Sequence, residues 1–119
     1  MSKDKSIYNL YFDYTDEYIT KYGEQTVVLM QVGAFFEIYG VKTSNDTIER
    51  SRIQEIANIC GLSISSKTQS FENGVIVMAG FRDYTVDKYI AKLTDNGFTI
   101  PVFIQEKTGT EIKRVLHNV

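Results

Sequence analysis

Tryptophan is absent from this sequence, and proline, cysteine and histidine occur once each, as Pro101, Cys60 and His117. A lone cysteine excludes an internal disulfide, and one Cys with one His is too few for a Cys/His zinc site. This cysteine usage points to a reducing compartment and so to an intracellular protein. No run of about 18 apolar residues occurs, and MSKDKSIYNL has charges but lacks the apolar segment of a signal peptide, so neither secretion nor a membrane span is expected. Excess positive charge is missing too: 13 Lys and Arg against 15 Asp and Glu leave a net charge of −2. A chain that coats nucleic acid needs the opposite balance, so non-specific affinity for DNA should be weak.

What is present is aromatic: eight Tyr and seven Phe, many within the first forty residues. The 119 residues, 43% hydrophobic and 24% charged, suffice for one core and not for two independent ones. No repeat or linker divides them, so residues 1–119 read as a single domain, with TSNDT at 43–47 and KTQSFENG at 67–74 as polar loops. Tyr8, Tyr11, Phe12, Tyr18, Ile19 and Tyr22 make a helical stripe that Gly23 ends. TVVLMQV and FFEIYG then read as strands, the second alternating with Phe36 and Ile38 inward. Ser51 and Gln54 fit a capping box before a helix over roughly 50–60, closed by Gly61. LSIS and GVIVMAG are strand-like, Val86, Tyr89, Ile90 and Leu93 mark a third helix stopped by Gly97, and FTIPVFIQ is the last clear strand. Its Pro101 lacks a ladder donor, which predicts an edge strand, a bulge or an unpaired position. The tail EIKRVLHNV is apolar enough to be ordered. This order gives an α/β fold of the α+β kind, a mixed sheet covered by about three helices.

Catalytic signals are poor. His117 stands near the end with no Ser and Asp pattern around it, and nothing matches the phosphate-binding G-x-x-x-x-G-K-[ST] loop, so the chain is not expected to be an enzyme or to bind ATP, and no catalytic or metal residue is assigned. Asp83, Asp87, Glu37 and Glu55 could form a metal-dependent nuclease site, although surface charge explains them as well.

The informative stretch is Gln31-Val32-Gly33-Ala34-Phe35-Phe36-Glu37-Ile38-Tyr39-Gly40. Burying Phe36 and Ile38 sends Phe35, Glu37 and Tyr39 to the other face of the strand. If that face is open, an apolar wedge stands two residues from a hydrogen-bonding carboxylate, beside Gly33, which lets another backbone come close. Aromatic wedges unstack and kink duplexes at a cost of a few kcal/mol per step, and the cost falls where pairing is already defective. The alternative is that both faces are covered, with Phe35 in the core and Glu37 at its rim. A third reading is a protein-interaction domain docking through its aromatic surface.

Gly33-Ala34-Phe35-Phe36-Glu37, Met78-Ala79-Gly80, and Tyr89-Ile90-Ala91-Lys92-Leu93 before Gly97-Phe98 together resemble the N-terminal mismatch-recognition domain (domain I) of the MutS family of DNA mismatch repair proteins. The likeness runs from about residue 8 to residue 117. It implies a mixed α/β fold, with Phe35 inserted from the minor groove beside the mispaired base and Glu37 hydrogen-bonded to that base. Lys67 and Arg82 are candidate phosphate contacts. The implied partners are double-stranded DNA with a mismatch or small loop and the remaining domains of a MutS-like parent that dimerises through its ATPase domain. ATP and Mg would belong only to that ATPase, and the chain itself is expected to need no cofactor. The family's aliphatic-Pro-any-His after M-A-G is Phe81-Arg82-Asp83-Tyr84 here, its Leu-Thr-Lys-Arg-like strand end is Ile64-Ser65-Ser66-Lys67, and its Cys-Glu-Gln is Phe103-Ile104-Gln105. Lys42 to Arg50 looks like an insertion. These departures suggest a divergent branch. The sequence stops where the family's connector would begin, before its lever, clamp and ATPase, which reads as an excised domain or a single-domain relative.

Overall fold

The computed structural model describes residues 6–108 and 111–118. The aromatic stripe forms helix α1, Ile7–Tyr22, opened by Ser6, whose hydroxyl accepts the Asn9 N–H at 3.2 Å. Gly23 closes it with a φ of 106°, donating its N–H to the Ile19 carbonyl at 2.8 Å. There follow β1 (Leu29–Val32), β2 (Phe35–Thr43), the short β3 (Ile48–Glu49) and α2 (Ile53–Cys60). Strands β4 (Ser65–Phe71) and β5 (Gly74–Arg82) lead through a 3-10 turn, Asp83–Thr85, into α3 (Val86–Asp95). Two more strands, β6 (Val102–Thr108) and β7 (Glu111–Asn118), end the described chain.

All seven strands lie in one sheet, ordered β4-β5-β2-β1-β6-β7, with β3 beside the far end of β2. Among the described strand pairs β1–β6 is parallel and the others are antiparallel, so the sheet is mixed, as expected. Helix α1 covers one face: Tyr8 and Tyr11 meet the Tyr39 ring edge-on, and Tyr14 stacks on Phe103 with centroids 4.0 Å apart. The other face carries α2 and α3. There Phe81 stacks on Tyr89 at 4.3 Å, and a Cβ on Gly40 would come within 2.8 Å of Ile53 Cγ2. The central strands are therefore buried from both sides, with Leu29, Met30, Ile38 and Ile76 fully enclosed. Each such side chain contributes about 1.5–3 kcal/mol relative to exposure.

Two expectations need correction, the loop at 67–74 and the capping box at Ser51, and two are made specific, the ordered tail and the place of Pro101. Residues 67–74 are not a loop: Lys67–Phe71 continue β4 and only Glu72-Asn73 turn, because backbone pairing with β5 holds a strand whose side chains stay exposed. The tail forms a full strand, β7, antiparallel to β6. No capping box forms at Ser51, since α2 begins at Ile53; the Ser51 hydroxyl instead donates to the Tyr39 carbonyl at 2.5 Å and accepts the Ile53 N–H at 3.3 Å. Of the three places expected for Pro101, the structure takes the unpaired one. The proline precedes β6, an interior strand, and its carbonyl accepts the Leu29 N–H at 3.0 Å, so its missing donor falls outside the ladder. The insertion-like Lys42–Arg50 stretch is the end of β2, a turn and β3. Arg50 ties that stretch to Asp16 on α1 at 3.1 Å and to Glu72, and lies over the Phe12 ring. Cys60 is a buried free thiol, pushed up in pKa by that burial. The side chain of His117 lies outside the described residues.

Candidate nucleic-acid interface

The β1–β2 hairpin closes over two residues, Gly33 and Ala34, with Val32 opposite Phe35. Gly33 has a φ of 62° and Ala34 is not left-handed, the pattern of a type II′ turn, which matches strand twist and requires glycine first. A Cβ at Gly33 would meet nothing within 4 Å. Within the domain, Gly33 is thus needed for the bend rather than for space.

From this turn Phe35 emerges 39% exposed, whereas its neighbour Phe36 is 4% exposed in the core. Of the two readings of this strand, the structure takes the open one at this end. Phe35 pairs with Arg82 across β2 and β5, and the guanidinium carbon lies 5.0 Å from the ring centroid. The cation therefore sits over one face of the aromatic ring, a contact favoured by the ring's quadrupole. Glu37, half-buried on the same face, lies opposite Gly80. The expected trio divides at Tyr39, which shares that face but is only 2% exposed because α1 reaches over it. Its hydroxyl donates to Glu37 Oε1. Burial, reinforced by the negative charge of Glu37, holds the Tyr39 hydroxyl well above the usual tyrosine pKa.

Beyond the reach of α1 a cleft of about 250 Å³ opens between three strands. Phe35 and Glu37 form its β2 side, Met78, Ala79 and Gly80 its β5 floor, and Ser65 at the start of β4, with Ser63 just before that strand, its third side. Gly80 keeps the floor low: a Cβ there would stand 2.8 Å from the Phe36 carbonyl and 3.4 Å from Glu37 Cγ. The cleft falls just below the span of about 300–1,000 Å³ typical of whole-ligand pockets, a size suited to part of a larger partner. The two serines escaped the sequence reading, although the alternation Ser63-Ile64-Ser65 carried the signal. A wider depression of about 570 Å³ at the far end of the sheet, around Lys42–Asp46 and Glu72–Val75, contains none of the predicted site residues.

Lys67 is exposed on edge strand β4, in the bulge where pairing shifts between Ser66 and Ser70, and does not line the cleft. Arg82 and Phe35 are together; Lys67 stands apart on another strand. The four carboxylates considered for metal binding are not gathered. Glu55 pairs with Arg52 at 2.7 Å, Glu37 accepts from Tyr39, and among the described residues no three His, Cys, Asp or Glu side chains converge on a possible metal position. No described helix is long and apolar enough to cross a membrane.

One mixed sheet thus presents an exposed ring, a hydrogen-bonded carboxylate and a shallow cleft at one hairpin. The MutS domain I family model matches residues 14–119, and the chain belongs to that family. It is 24% identical over 114 residues, 95% of its length, to a mutS homolog of Acanthamoeba polyphaga mimivirus named for DNA mismatch repair. The chain spans 10% of that relative's length.

Proposed function

We propose that this domain senses mispaired bases for a MutS-like mismatch repair protein, with Phe35 as the inserted wedge. The carrying observation is the exposure of the Phe35 ring beside Glu37 at the mouth of the cleft, on a strand whose alternate residues are buried. In this reading the ring enters from the minor groove next to a mispaired base, or a small loop, in double-stranded DNA. Unstacking costs a few kcal/mol per step and costs least where pairing is defective, so the wedge selects weak steps by deformability. The Glu37 carboxylate accepts a hydrogen bond from the displaced base, its second acceptor oxygen being available beside the one that Tyr39 engages.

Arg82 and Lys67 contact phosphates flanking the lesion, and Gly33 brings the hairpin tip close to the sugar-phosphate backbone. Few cations are involved, in keeping with the net charge of −2, so the domain depends on other parts of its parent for most of its hold on DNA. Those parts would include an ATPase through which the parent dimerises, with ATP and Mg²⁺ bound there. This chain lacks a phosphate-binding loop and supplies recognition rather than catalysis. The protein would act inside the cell.

Titration of matched and mismatched duplexes with the wild type and Phe35→Ala tests the proposal. A preference for mismatched duplex that Phe35→Ala abolishes is the expected result. Equal affinities in all four combinations would remove the sensor role.

A further inference from the structure

The hairpin that carries Phe35 is held from both sides by strands distant in sequence. Strands β1 and β6 pair as a parallel ladder at Leu29–Val102 and Met30–Phe103. Beyond that point two glutamine side chains continue the pairing. The Gln31 Oε1 accepts the Gln105 N–H at 2.9 Å, and the Gln105 Oε1 accepts the Gly33 N–H at 2.9 Å. The Gln105 Nε2 also reaches the Gly33 carbonyl at 3.4 Å, so one amide engages both polar groups of a loop residue, as the peptide of a neighbouring strand would. On the opposite side, the Asp83 N–H donates to the Ala34 carbonyl at 2.8 Å. Each residue of the two-residue turn therefore has a partner outside the hairpin.

We infer that Gln105 is a positioning residue that fixes the angle at which Phe35 is presented. The inference rests on the wedge reading of Phe35. A ring directly after a freely twisting turn would lose orientational entropy on insertion, and a turn already bound at Gly33 and Ala34 has met part of that cost before contact. Because the Gln105 hydrogen bonds join residues 72 apart in sequence, they couple the middle of β6 to the turn that carries the wedge.

Three measurements on this chain test it. Amide hydrogen exchange without DNA reads the clamp directly: the Gly33 N–H should be protected in the wild type and should exchange at least tenfold faster in Gln105→Met, which keeps length and removes both hydrogen bonds. In duplex titrations, Gln105→Met should lower the mismatched-to-matched affinity ratio by roughly five- to tenfold, the scale of one or two lost hydrogen bonds. Gln105→Glu keeps the acceptor for the Gly33 N–H but loses the donor to the Gly33 carbonyl, and should therefore retain the Gly33 protection that Gln105→Met loses. A merely structural glutamine would change stability and leave the ratio alone. An unprotected Gly33 N–H in the wild type overturns the inference. So does an unchanged ratio in Gln105→Met when Phe35→Ala abolishes it. Should Gln105→Met fail to fold, Gly33 exchange in the wild type and in Gln105→Glu decides. If the wild type shows no mismatch preference, the wedge reading fails while the exchange data still judge the clamp.

Discussion

The hydroxyl of Tyr39 donates to Oε1 of Glu37, two residues back on the same face of β2. Tyr39 is itself wedged edge-on between Tyr8 and Tyr11 of α1, with ring centroids 4.9 and 5.2 Å away. The carboxylate at the cleft is thereby oriented by a ring that belongs to the core. Tyr39→Phe keeps the packing and deletes this hydrogen bond. It should cost about 1.5–3 kcal/mol of stability, the range for a hydrogen bond to a charged group, measured by urea denaturation. Mismatched-duplex affinity should fall about five- to tenfold as Glu37 loses its fixed geometry.

The same burial predicts the alkaline limit of the fold. Tyr39 and Tyr11 are both raised in pKa, chiefly by desolvation, and Tyr11 also donates to the Val28 carbonyl at 2.7 Å. Their folded pKa values exceed the unfolded value of about 10, so their contribution is fully present below that pH and is lost as pH rises above it. Each hydroxyl held protonated steepens the loss by about 1.4 kcal/mol per pH unit. Ultraviolet tyrosinate titration should show two of the eight tyrosines ionising only with unfolding. Early ionisation of all eight would contradict the enclosed placement of these rings.

Adjacent phenylalanines should respond in opposite ways. Phe36→Ala removes a ring that is 4% exposed and faces Phe81, and should cost about 3–5 kcal/mol. Phe35→Ala removes a ring that is 39% exposed and should cost about 1 kcal/mol or less. Chemical denaturation of the pair, compared with their duplex titrations, separates folding from recognition.

Gly80 should be intolerant of a methyl group. Its Cβ would lie 2.8 Å from the backbone carbonyl of Phe36, which cannot swing aside as a side chain would. Gly80→Ala is expected to cost about 1–3 kcal/mol and to shallow the cleft floor, reducing mismatch preference more than overall DNA affinity. Thermal denaturation and paired titrations check both effects.

All three helices were legible because Tyr11, Ile56 and Leu93 belong to stripes with a 3.6-residue period. Strand β4 was not. Ser65–Ser70 carry no alternating apolar residues, since their side chains are exposed and the strand is held by backbone bonds to β5. Alternation placed Tyr39 on the face of Phe35 but could not reveal that α1 ends its cover between them. Phe35 and Glu37 were readable as neighbours from strand geometry, whereas Ser63 and Gln105 join the hairpin region only through the sheet order β4-β5-β2-β1-β6.

Tyr39, at the middle of β2, is built into masonry of aromatic rings, whereas the Phe35 end lies beyond the cover of α1 and is held by its neighbouring strands alone. A push against the exposed ring passes to the flanking strands and, through Tyr39, to α1, a helix with no part in the cleft, so damage to that remote footing should blunt the probe while leaving every residue at its tip unchanged.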